Sequence, residues 1–201
     1  MRWSYPNMPV AARPGTGQAP DDGEGTGAVL TPAEARQLAA ALLRQAAAAE
    51  HPDSDAGPGR VVASYVRGET YAAITRGHAV LTDQPATAGG DDAAMTPVEL
   101  FVAALCCCAA FYAGGHLDRH GRDRDGLQVT AEFAMAADRP ARVRGVTLRI
   151  RVPGGVPPAS HAALLAVVSH CTVHNTLRQA PDIAIELTRP GREGARCPRL
   201  A

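Results

Sequence analysis

Residues 96–112 read Thr96-Pro97-Val98-Glu99-Leu100-Phe101-Val102-Ala103-Ala104-Leu105-Cys106-Cys107-Cys108-Ala109-Ala110-Phe111-Tyr112, and the folding of this stretch decides the rest of the chain. Thr-Pro-x-Glu is a capping box with proline at the first helical position: Thr96 caps, Pro97 opens the helix and Glu99 reaches back. The spacing predicts a helix to about His120. Its apolar residues pass round the whole circumference, and a helix apolar on every face is buried on every face. A chain of 201 residues seldom encloses such a helix alone. A partner subunit is therefore expected to supply one wall.

Before this helix, Val61–Val66, Tyr71–Thr75 and His78–Thr82 read as three strands, separated by the turn signals Arg67-Gly68 and Arg76-Gly77. After it, Leu127–Phe133 and Val143–Val152 alternate as strands, the second with Val146, Leu148, Ile150 and Val152 inward and Arg149 and Arg151 outward. A second helix is expected from about Ala159 to Arg178, with Leu164, Leu165, Val168 and Cys171 as its apolar positions, and Asp182–Leu187 as a last strand. The order βββα, ββαβ predicts an α+β domain over 60–188, two helices against antiparallel sheet. Residues 1–30 carry no hydrophobic period and are expected to be disordered. Residues 31–59 read as an Ala-rich helix, opened by the capping box Thr31-Pro32-Ala33-Glu34, plus a linker. Residues 189–201 form a polar tail.

Composition limits the chemistry. Hydrophobic residues make up 46% of the chain but aromatics only 4%, so the core is built from Ala, Val and Leu. Basic and acidic residues balance at 20 each, which implies no general nucleic-acid surface. All the basic residues are Arg, which excludes a Schiff-base or P-loop lysine. The five cysteines are too clustered for a secreted disulfide framework. No apolar signal-peptide core follows Met1, and the run Leu100–Gly115 is shorter than the roughly 20 residues of a membrane span. These features predict a cytoplasmic protein with free thiols and no membrane partner.

Cys106, Cys107 and Cys108 fan across about 200° of a helix and cannot all face one site. At least two of them are core packing, since a free cysteine behaves as a small buried hydrophobe. In the second helix, Ser169-His170-Cys171-Thr172-Val173-His174 sets a cysteine between two histidines that share a face. Three readings stay open there: a metal site of His170, His174 and a cysteine, a Cys–His nucleophile pair, or an ordinary amphipathic face.

Gly77-His78, Asp83-Gln84-Pro85, Gly89-Gly90-Asp91, Thr96-Pro97-Val98-Glu99-Leu100, Ala103-Ala104, Cys108 and Cys171-Thr172-Val173-His174-Asn175-Thr176-Leu177 together resemble the OsmC/Ohr family. The resemblance covers about residues 60–188. It implies an OsmC-like fold, with antiparallel sheets and two buried central helices in an intertwined homodimer. It also implies a thiol peroxidase acting on organic hydroperoxides, recycled by a dithiol reductant without cofactor or metal. Cys108, eleven residues after the helix-start proline, stands at the family's peroxide-reactive position, and Cys171 at the cysteine that condenses with it. The family's activating Glu is replaced by Val98. The candidate activators are then Arg67, Glu99 and His174, with Arg76 as a weaker alternative to Arg67. A non-enzymatic dimer that binds a hydrophobic small molecule, or senses oxidation through its thiols, is the alternative.

Overall fold

The computed structural model describes residues 30–50, 58–152 and 154–187. The expectations for the remainder of 1–30, for the linker over 51–57 and for the polar tail lie outside the described residues. Contacts divide the chain into two compact units, one running up to Cys107 and including 129–150, the other made of 108–128 and the residues from 151 onward.

In the first unit, α1 (Pro32–Glu50) starts as its capping box requires: the Thr31 amide donates to Glu34 Oε2 at 2.8 Å and the Glu34 amide to Thr31 Oγ1 at 3.3 Å. It lies against the sheet at β3, although Leu38 and Leu42 stay exposed. Strands β1 (Val62–Arg67), β2 (Thr70–Thr75) and β3 (His78–Thr82) form an antiparallel meander in that order. Thr75 pairs with His78 across Arg76-Gly77, whose φ values of 49° and 71° are both left-handed, as a two-residue hairpin turn of the primed type requires. Period-two alternation buries Thr70, Ala72 and Ile74 of β2, with Val66, Ala79 and Leu81 packed around them.

The loop from β3 to the central helix is organised by a buried carboxylate. Asp83 accepts the amides of Gln84 at 2.8 Å, Asp91 at 3.1 Å and Ala93 at 3.0 Å, as well as a bond from the Thr70 side chain. These donors hold its carboxyl below the usual carboxylate range against the opposing effect of burial, the Ala93 amide contributing most. Gly90 packs so close to this turn that a Cβ would lie 1.9 Å from the Gln84 carbonyl oxygen. Only glycine fits there.

The central helix α2 (Pro97–Arg119) begins with the anticipated box, the Thr96 amide donating to Glu99 Oε2 at 2.8 Å and the Glu99 amide to Thr96 Oγ1 at 3.2 Å. Burial on every face is not observed. Val102, Leu105, Ala109, Ala113, His116 and Leu117 are buried, whereas Phe101, Ala104, Cys107 and Phe111 form an exposed stripe. The apolar circumference thus has one face covered and one face free within the chain. At 23 residues the helix outlasts its apolar run, and by length and composition it is long enough to cross a membrane. Strands β4 (Gln128–Met135) and β5 (Val143–Arg151) make a two-stranded sheet, with Val146, Leu148 and Ile150 half-buried and Arg149 ion-paired to Glu132.

In the second unit the single helix expected over 159–178 is broken. Helix α3 (Pro158–Ser169) stops, and α4 (Thr172–Arg178) restarts after Cys171, whose φ of −63° and ψ of 143° are extended. The break is stabilised by its own side chains. His174 Nδ1 meets the Ser169 carbonyl at 2.6 Å and Asn175 Nδ2 donates to the His170 carbonyl at 3.1 Å. Both take carbonyls at the α3 C-terminus that a helix end leaves without partners. Leu164, Val168 and Cys171 are buried as anticipated, but Leu165 is exposed. Asp182–Leu187 is not a strand: no ladder partner reaches it among the described residues, and Ile183, Ile185 and Leu187 are 81, 94 and 98% exposed.

Candidate thiol site

Of the three adjacent cysteines, Cys107 is exposed and Cys106 and Cys108 are half-buried, so the expected core packing of at least two of them is not observed. Burial pushes the Cys106 thiol up, and the neighbouring Cys107 adds to this. Cys108 has a different environment. It belongs to the second unit together with Cys171, whose thiol pKa it helps to raise.

Cys171 is the N-cap of α4. Its Sγ accepts the His174 amide at 3.4 Å and the side chain is 1% exposed. Burial raises its pKa most. The His174 amide works against that, and the hydrogen bond and charge of Cys108 raise it further.

Of the candidate activators, His174 touches the site through its backbone amide, while its ring is committed to the Ser169 carbonyl. Glu99 is held by the Thr96 cap, nine residues and roughly 13 Å of helix axis before Cys108. Arg67 lies in the first unit and pairs with Asp91 at 3.3 Å on the surface. Arg76, with its left-handed backbone, closes the β2–β3 turn. Among the described residues no three His, Cys, Asp or Glu side chains gather as a metal-holding group.

One pair of residues escaped the sequence reading. The hydroxyls of Tyr112 and Thr172 are hydrogen-bonded at 3.2 Å. Tyr112 is one turn beyond Cys108 and Thr172 directly follows Cys171, so both lie beside the thiols. Spacing places Tyr112 on the Cys108 face, but the bond itself depends on the α3–α4 break.

The chain is α+β, with strands before and after a long apolar helix. Residues 89–186 match the family model described as OsmC-like protein, which supports the resemblance to the OsmC family. Solved structures agree on the fold. A protein of Psychrobacter arcticus described as an osmotic stress induced and detoxification response protein is 22% identical with a TM-score of 0.54, covering 58% of this chain and 85% of that one. An OsmC-like protein of Mycoplasma pneumoniae is 15% identical with a TM-score of 0.51, covering 60% and 87%. No curated protein matches the chain.

Proposed function

We propose that the protein is a thiol peroxidase of organic hydroperoxides, working in a reducing, cytoplasmic setting through Cys108 and Cys171 in an OsmC-like domain of residues 60–188. The observation that carries this reading is the buried Cys171 at the start of α4, whose thiol pKa is raised in part by Cys108. The Cys108 thiolate attacks the distal peroxide oxygen, the O–O bond breaks, and the alkoxide takes a proton and leaves as alcohol. Cys108 becomes a sulfenic acid. Cys171 sulfur then attacks the Cys108 sulfur, the S–O bond breaks, and the hydroxide leaves with the Cys171 proton as water. A dithiol reductant returns both thiols. Apolar surroundings favour an alkyl or aryl hydroperoxide over hydrogen peroxide by about 25 cal/mol per Å² of apolar surface buried.

Treatment with one equivalent of cumene hydroperoxide followed by digestion without reductant tests this. The expected product is a peptide pair joined by Cys108–Cys171, and in Cys171→Ser a sulfenic acid confined to Cys108. Absence of the joined peptide, or turnover surviving in Cys108→Ser, contradicts the reading.

A second reading, a non-enzymatic dimer that binds a hydrophobic molecule or senses oxidation, is favoured by a specific observation. Val98 occupies the family's carboxylate position, Glu99 is committed to a cap and Arg67 to Asp91. Under that reading the disulfide forms stoichiometrically but no sustained alcohol production follows when dithiol is supplied.

A further inference from the structure

The Tyr112–Thr172 hydrogen bond runs beside the Cys108–Cys171 contact and joins the same two elements. Along α2, Tyr112 follows Cys108 by four residues and shares its face. Along the chain, Thr172 follows Cys171 and is the first residue of α4. The two hydroxyls, 3.2 Å apart, therefore connect α2 to the start of α4 at the point where the thiols meet. The His174 and Asn175 side chains tie that start back to the Ser169 and His170 carbonyls at the end of α3, not to α2. The α4 N-cap is a thiol at 3.4 Å from the His174 amide, a weaker acceptor than the oxygen of Ser, Thr or Asp.

We infer that the Tyr112 and Thr172 hydroxyls form a latch that positions Cys171 against Cys108 during resolution of the sulfenic acid. This rests on the peroxidase reading above and adds residues to it. Both members act by position and are positioning residues. Their effect falls on the second step, in which S–S forms and S–O breaks, and not on the first attack on peroxide. A sulfenic acid that waits longer for Cys171 meets a second peroxide and is oxidised to sulfinic acid. The latch thus sets how the Cys108 sulfenic acid divides between disulfide and sulfinic acid.

The test compares wild type, Tyr112→Phe, Thr172→Val and Thr172→Ser at graded cumene hydroperoxide, with disulfide and sulfinic acid at Cys108 quantified by mass spectrometry. Loss of one hydrogen bond of this kind is expected to raise the sulfinic-to-disulfide ratio by about 2- to 10-fold in Tyr112→Phe and Thr172→Val. First-turnover peroxide consumption should stay unchanged, and Thr172→Ser, which keeps the hydroxyl, should behave as wild type. Equal ratios in all four proteins, or a Thr172→Ser protein as impaired as Thr172→Val, overturn the latch. If wild-type Cys108 is not oxidised by the hydroperoxide, the peroxidase reading fails, and the latch is decided without peroxide. The Cys108–Cys171 disulfide, equilibrated with glutathione, should then be less favoured by a similar factor in Tyr112→Phe and Thr172→Val than in wild type and Thr172→Ser. No difference there rejects it.

Discussion

Asp83 shows how a single residue organises the approach to the central helix. Its buried carboxylate collects three backbone amides and a bond from Thr70, and these hold its pKa below the ordinary value. Because the folded-state pKa lies below the unfolded value of about 3.9, its stabilisation is present above that pH. It is lost as pH falls through the folded pKa. Asp83→Asn is expected to be less stable at neutral pH and to show a smaller loss of stability on acidification, measured by urea unfolding across the pH range. A wild-type acid limb unchanged by the substitution would contradict this. In the sequence, Asp83-Gln84-Pro85 stands out only among the residues that carry the family resemblance. An aspartate in a polar loop is ordinarily exposed, and its burial depends on amides from residues 91 and 93 folding back over it. Cys171 illustrates the same limit: its burial on an apolar face was legible, but its N-cap geometry was not.

At the scale of elements, local chemistry was legible wherever the interaction spans a few residues. Both capping boxes form as Thr31-Pro32-Ala33-Glu34 and Thr96-Pro97-Val98-Glu99 specify, and the β2–β3 hairpin turns at Arg76-Gly77. Thr96→Ala is expected to cost about 1 kcal/mol, read from the denaturation midpoint at unchanged m-value. An effect within experimental error would show that the α2 cap contributes nothing. The break between α3 and α4 was not legible, because the apolar spacing Leu164, Val168, Cys171 continues across it. Cysteine is not a usual cap, and the bonds that stabilise the break come from His174 and Asn175 reaching backwards. Likewise Asp182–Leu187 has the alternation of a strand but no neighbour to pair with among the described residues.

For the whole molecule, the features the chain does not complete are of one kind. The exposed stripe of α2 includes Phe111 at 75%, and Ile183, Ile185 and Leu187 stand almost fully exposed. Apolar surface of this sort marks an interaction site. It supports the homodimer inferred from the sequence, and sedimentation equilibrium is expected to give twice the 20.9 kDa chain mass. A monomer at micromolar concentration would contradict it. Fold class was readable because strands and helices alternate in period across the chain. Whatever a second copy contributes cannot be read from one chain's periodicity, since burial there is decided between molecules. The central claim, that the Cys108–Cys171 pair reduces organic hydroperoxides, is tested most directly by the rate of cumyl alcohol formation with excess dithiol. The account predicts turnover faster than a free thiol supports, faster with cumene hydroperoxide than with hydrogen peroxide, and abolished in Cys108→Ser. A rate equal to that of free cysteine, or one retained in Cys108→Ser, would contradict it.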